Sequence, residues 1–201
     1  FSDRSLNSMS DAFGEVMRDI SRIMRNAYGA ASVAVVPGGG TYGMEAIARQ
    51  FANDARVLVI RNGWFSYRWS QIMEAGKLAS HTIVLAASQS DDSTDAPFAP
   101  FPLEDILDRI RAEKPDVVFC PHVETSAGMM MPDDFIHAVT GCVHEHGGIF
   151  VLDCVASGTV FVNLEETGVD VLLTAPQKGW SASPCAALVM MSPHGRARLD
   201  E

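Results

Sequence analysis

Lysine is the scarcest charged residue of this 201-residue chain, which has only Lys77, Lys114 and Lys178. Other absences narrow its chemistry. The four cysteines, Cys120, Cys142, Cys154 and Cys185, form no CxxC and no regular spacing, so neither a zinc ribbon nor a dithiol redox motif is expected. Three of them lie in or at the ends of apolar runs, which suits reduced, buried thiols in a cytosol-like compartment. No run of 18 or more apolar residues occurs, so no membrane-spanning helix is predicted. Cations are outnumbered: the formal net charge is −10, which excludes nucleic acid or an anionic membrane as a natural partner. The opening residues carry no signal-peptide pattern, and a cytoplasmic location is expected, although the chain starts at Phe1 rather than at a methionine. Neither a linker nor a repeat divides the sequence, and its length fits one domain with a substantial core.

What is present centres on the third lysine. Lys77 and Lys114 stand in hydrophilic surroundings at expected helix ends. Lys178 instead follows an apolar run, Val169 to Leu173, in the segment Leu172-Leu173-Thr174-Ala175-Pro176-Gln177-Lys178-Gly179-Trp180. A lysine at the edge of a core suits nucleophilic, Schiff-base chemistry. Alone, the same lysine reads first as a solvated residue after a strand.

Periodicity predicts an amphipathic helix over 10–28, with Phe13, Val16, Met17, Ile20, Ile23 and Met24 on one face. Ser32 to Val36 reads as a strand, Pro37 to Gly43 as a glycine turn, and Met44 to Phe51 as a helix. This is the arrangement that holds anions, because amides at a helix N-terminus point outward and glycine lets a phosphate come close. Strands follow at Arg56–Ile60, His81–Leu85, Asp116–Cys120, Ile149–Leu152, Val169–Leu173 and Ala186–Met191. Helices are expected at Tyr67–Ala75, Leu103–Glu113 and Pro132–His146, and the polar, acidic stretch from Gln89 to Pro102 as a solvent-facing loop. The alternation implies an α/β fold, three layers (α/β/α) about a mainly parallel sheet. Such sheets bind ligands beyond the carboxyl ends of their strands. The glycine turn, Phe65, the segment His122-Val123-Glu124-Thr125, Asp153 and Lys178 all fall there.

Asp153 and Lys178, 25 residues apart, fit one β-α-β passage that sets both at the same sheet edge. A lysine, a carboxylate and a glycine-lined anion cradle are three parts that pyridoxal phosphate requires. Singly, Asp153 reads as a cap or turn residue, and Phe65 or Trp64 as packing. The glycine turn also satisfies G-x-G-x-x-G through Gly38, Gly40 and Gly43, as in a nicotinamide-binding Rossmann domain. That fingerprint expects an acidic residue after the second strand, where Arg61 and Asn62 stand, and it leaves Asp153 and Lys178 unexplained. His137, Cys142, His144 and His146 invite a metal reading. At i, i+2 spacing on one helix, however, Cys142/His144 and His144/His146 diverge, so the metal reading fails and no metal site is expected.

Several segments together resemble the class V, fold-type I aminotransferases: Gly38 to Ala46, Asn62 to Arg68, His122 to Gly128, Asp153 to Ser157 and the pair Gln177-Lys178. Within that class the likeness is to the alanine–glyoxylate and serine–pyruvate group, and it runs from about Tyr28 to Met191. The resemblance implies Lys178 as Schiff-base lysine and Asp153 as partner of the cofactor's pyridine nitrogen. It implies Phe65 stacked on the ring, Val155 on the opposite face and Thr125 near the ring oxygen. Gly39, Gly40, Thr41 and Gln177 would hold the phosphate. His122 and Glu124 match the motif without an assigned role. The implied activity is transfer of an amino group from a small amino acid to a 2-oxo acid such as glyoxylate or pyruvate. The implied assembly is a homodimer with a shared active site. A lyase of the same fold, of cysteine desulfurase or kynureninase type, is the closer rival, though such enzymes usually carry His where this chain has Gln177. Family members continue well past the lysine, into a small domain with a carboxylate-binding arginine. Residues 1–201 are therefore expected to be the cofactor-binding large domain of a longer chain, lacking the C-terminal small domain.

Overall fold

Unbroken apolar runs need cover on both faces of a strand. In the computed structural model, which describes residues 5–199, seven strands receive it. They are β1 (Ser32–Pro37), β2 (Arg56–Arg61), β3 (His81–Ala86), β4 (Val117–Pro121), β5 (Ile149–Asp153), β6 (Val171–Thr174) and β7 (Ala186–Met191). The sheet order is β1-β7-β6-β5-β4-β2-β3. Only β7 runs against its neighbours; the pairs β6–β5, β5–β4, β4–β2 and β2–β3 are parallel. The expected mainly parallel α/β sheet is what the chain forms.

Strand side chains alternate between two cores. Leu58, Ile60, Val118, Cys120, Phe150 and Leu152 face one side, with α1 (Asp11–Tyr28), α4 (Leu103–Glu113) and α5 (Asp133–His144). Val57, Val59, Val117, Phe119, Ile149 and Val151 face the other, with α2 (Gly40–Phe51) and α3 (Trp64–Gly76). Burial of Phe119 and Phe150, both at 0% exposure, contributes about 1.5–3 kcal/mol each. By this alternation Asp153, two residues past Val151, points toward the α2/α3 layer, and that places it in the site.

Several boundaries differ from the sequence expectation. α2 begins at Gly40 rather than Met44, because Gly39 in extended conformation starts the helix within the glycine run. α3 begins at Trp64 rather than Tyr67, so Trp64 and Phe65 occupy its first residues. The stretch Gln89–Pro102 is exposed for most of its length, but Phe98–Ala99 pairs with Ser88–Gln89 and Ala96 is buried. Two helices too short to show periodicity complete the chain, α6 (Leu164–Thr167) and α7 (Pro193–Ala197). No helix among the described residues is long and apolar enough to cross a membrane.

Candidate active site

At the carboxyl ends of the parallel strands, Asp153 closes β5 in register with Pro121 of β4 and Leu173 of β6. Above them opens a cavity of about 200 Å³. Its lining includes Gly40, Thr41, Phe65, Thr125, Asp153, Val155, Gln177 and Lys178, all singled out from the sequence. Gly39 stands just outside that lining, as the N-cap of α2. The cavity also takes in Met44, Arg68, Pro121, Val123 and Ala156, to which the sequence reading gave no role.

One wall is the N-terminus of α2. Gly39 supplies no side-chain cap, so the first-turn amides are left for an anion. A β-carbon at Gly40 would come within 3.1 Å of Val155 Cγ2, closing the approach that glycine keeps open. Arg68, one turn beyond Phe65 on α3, donates from Nη1 to Thr41 Oγ1 at 2.7 Å. It brings a guanidinium to the same wall.

Asp153 is 8% exposed. Among the described residues one hydrogen bond reaches its carboxylate, from the Val155 amide at 2.9 Å. Burial raises its pKa to about 6; the Val155 amide and the Arg68 charge oppose this, and the charge of Glu124 adds to it. Such a carboxylate is short of a cation. Lys178 lies five residues past Leu173, in the turn after β6, with its amide bonded to the Ala175 carbonyl. Its side chain is exposed, at the rim rather than in the core edge expected for it. Beside it the Gln177 amide oxygen is buried without a hydrogen-bond partner.

The sequence left Glu124 and His122 unassigned, and the structure gives each a place. Glu124, fully buried, accepts from the amides of Phe65 (3.2 Å) and Ser66 (2.8 Å) and from the hydroxyls of Ser66 (2.7 Å) and Ser126 (2.6 Å). It caps α3 and fixes the backbone that carries Phe65. Burial alone would raise its pKa, but the hydrogen bonds from Ser126 and Ser66 outweigh burial and hold it low. A β-carbon at Gly63 would strike the Ser126 hydroxyl and lie 2.8 Å from Glu124, so this capping needs glycine there. His122 joins Ser157 through Nδ1 at 2.7 Å, and its pKa is lowered by burial against the opposing charge of Asp133. That bond ties the segment after β4 to the segment after β5. Spacing could not reveal the capping by Glu124, because its partners lie 58 and 59 residues away.

No protein-family model matches the chain. The soluble hydrogenase small subunit of Synechococcus sp. (strain PCC 6716) is 32% identical over 164 residues, covering 80% of this chain and 40% of that protein. The L-aspartate–glyoxylate aminotransferase of Paracoccus denitrificans (strain Pd 1222) is 26% identical over 195 residues, 94% of this chain and 47% of that one. The crystal structure of an alanine–glyoxylate aminotransferase from Nostoc sp. superposes with a TM-score of 0.82 at 24% identity, covering 99% of this chain and 50% of that chain.

The chain has the fold of the class V, fold-type I family of pyridoxal-phosphate-dependent aminotransferases, and its sequence is similar to theirs. It spans about half the length of the aminotransferases it matches.

The residues present fit the family's cofactor. The uncapped α2 N-terminus, kept open by Gly40, suits a phosphate. The buried Gln177 amide, turned about its axis, offers N–H donors to the same anion. Asp153 suits a protonated ring nitrogen. A larger cavity of about 430 Å³, between Arg61, Trp64, Tyr67 and Phe98, offers neither a lysine nor a carboxylate.

Proposed function

We propose that this chain is the cofactor-binding large domain of an aminotransferase that moves an amino group from a small amino acid to a 2-oxo acid such as glyoxylate or pyruvate. The observation that carries the reading is one cavity lined at once by Lys178, by the under-partnered Asp153 and by the α2 N-terminus. Pyridoxal phosphate bound there supplies an electron-accepting ring and a carbon that carries the amino group between substrates. The chain's own residues do the rest. Lys178 would hold the cofactor covalently, and its amine would be the base that takes the proton from the substrate Cα. Asp153 keeps a proton on the ring nitrogen. The α2 amides, with Gly39, Gly40, Thr41 and Gln177, hold the phosphate. Phe65 and Val155 supply apolar walls, and Thr125 a hydroxyl for the ring oxygen.

The remaining half of the protein would provide the small domain and the arginine that binds the substrate carboxylate. A homodimer with a shared site is the working form. Val16 and Ile23 on α1 stay exposed, as do Tyr42 and Trp64, which adjoin Thr41 and Phe65. Three buried free thiols support a reducing, cytoplasmic setting.

The test is a half-reaction with the full-length protein loaded with pyridoxal phosphate. Alanine or serine added without acceptor should bleach the visible absorbance and release a stoichiometric amount of 2-oxo acid. Glyoxylate or pyruvate should then restore the absorbance, with ping-pong kinetics. Sustained turnover of one substrate, with no recovery on adding acceptor, would instead mark a lyase. Hydrogen-dependent dye reduction without transamination would favour the activity that the Synechococcus relative's name denotes.

A further inference from the structure

The amino-terminal edge of the sheet, opposite the active site, carries a cluster that the aminotransferase chemistry does not use. Asp170, the residue before β6, is fully buried. Its Oδ2 stands 2.8 Å from His144 Nε2, at the end of α5. Its Oδ1 stands 3.0 Å from His194 Nδ1, in α7. The two imidazoles meet edge-on, with ring centroids 5.1 Å apart. The three ligand atoms all lie within 4.8 Å of one another.

We propose that His144, Asp170 and His194 form a binding site for a divalent transition metal of the zinc class. Two imidazoles and one carboxylate suit zinc, cobalt or nickel rather than magnesium or calcium, which prefer all-oxygen surroundings. Bond lengths of about 2.0–2.2 Å place neighbouring zinc ligands a little over about 3 Å apart, close to the nitrogen–oxygen separations already present. The imidazole side chains are 35% and 42% exposed, so both rings can turn to admit an ion, and solvent can reach a fourth position. The carboxylate itself is held in place. The Phe150 amide donates to Oδ2 at 2.8 Å and the Ser192 hydroxyl to Oδ1 at 3.3 Å, the outer support that metal-binding carboxylates ordinarily have. The ligands come from three separate elements, α5, the start of β6 and α7, so an ion here would clip them together. Its work is structural, because Lys178 lies at the other end of the strands.

The experiment uses the full-length, cofactor-loaded protein stripped with chelator. Zinc titration by calorimetry should give one site per chain, and zinc should raise the melting temperature. Cobalt should give the visible bands of a four-coordinate ion. His144→Asn and His194→Ala change partly exposed side chains and should fold; each should weaken zinc at least about tenfold. Both the cobalt bands and the melting shift should disappear, and transamination without metal should stay unchanged. The proposal is overturned if wild-type protein binds no zinc. It is equally overturned if a variant carrying both His144→Asn and His194→Ala binds zinc as tightly as wild type, which would leave a cluster held by hydrogen bonds alone.

Discussion

Asp153 and Asp170 are buried carboxylates on adjoining strands, at opposite edges of one sheet. Asp170 is surrounded by the Phe150 amide, the Ser192 hydroxyl and two imidazoles. Asp153 has one amide, and burial pushes its pKa up to about 6. Asp170 therefore finds its partners within the fold, whether a proton or an ion lies between them. Asp153 is buried without such partners and stands ready for a cation brought by a ligand. Burial alone does not separate a structural carboxylate from a functional one; the count of donors around it does.

The comparison can be broken in several ways. The largest effect is expected at the lysine that shares the Asp153 cavity. Lys178→Ala should lower kcat by about a thousandfold or more, roughly 4 kcal/mol, while some cofactor stays bound without a covalent link. Activity within tenfold of wild type would remove Lys178 from the chemistry.

Asp153→Asn keeps the shape and removes the charge. A fall in kcat of about a hundredfold or more, roughly 3 kcal/mol, is expected, with a smaller loss of cofactor affinity. A variant within threefold of wild type would make Asp153 a structural residue like Asp170.

The same substitution should act in the opposite direction on the stability of the cofactor-free protein. The folded-state pKa of Asp153 lies above the ordinary carboxylate value, so between about pH 4 and pH 6 the folded state binds more protons than the unfolded state. Stability should therefore fall as pH rises through that window, by up to about 3 kcal/mol. Asp153→Asn apoprotein should be more resistant to urea than wild type at pH 8, the advantage closing below about pH 4. Equal midpoints at pH 8 would show that Asp153 is already satisfied.

Asp170→Asn should show the smallest effect and the reverse pattern. It leaves donors facing one another and should cost about 1–3 kcal/mol of stability, with kcat and the cofactor's absorbance unchanged. A loss of turnover without a loss of stability would contradict the division between the two edges.

The Asp153 edge was legible from the sequence because strand ends announce themselves. Apolar runs stop at Asp153 and just short of Lys178, and glycine marks the start of α2. The sheet's alternation then follows from ordinary strand geometry. What stayed hidden depends on partners distant in sequence. Glu124 looked like one residue of a motif until its bonds to Ser66, 58 residues away, made it the cap of α3. Arg68 ends the segment Asn62 to Arg68, but only the fold brings it to Thr41, 27 residues away. His144 was weighed against its neighbours on α5 and gave no metal set, because Asp170 and His194 lie 26 and 50 residues further on.

The most direct test of the Asp153 edge as cofactor site is borohydride reduction of the full-length, cofactor-loaded protein, followed by peptide mapping. The account predicts that pyridoxyl label appears on the peptide carrying Lys178 and that Lys178→Ala abolishes it. Label on Lys77 or Lys114 in the wild-type protein would contradict it.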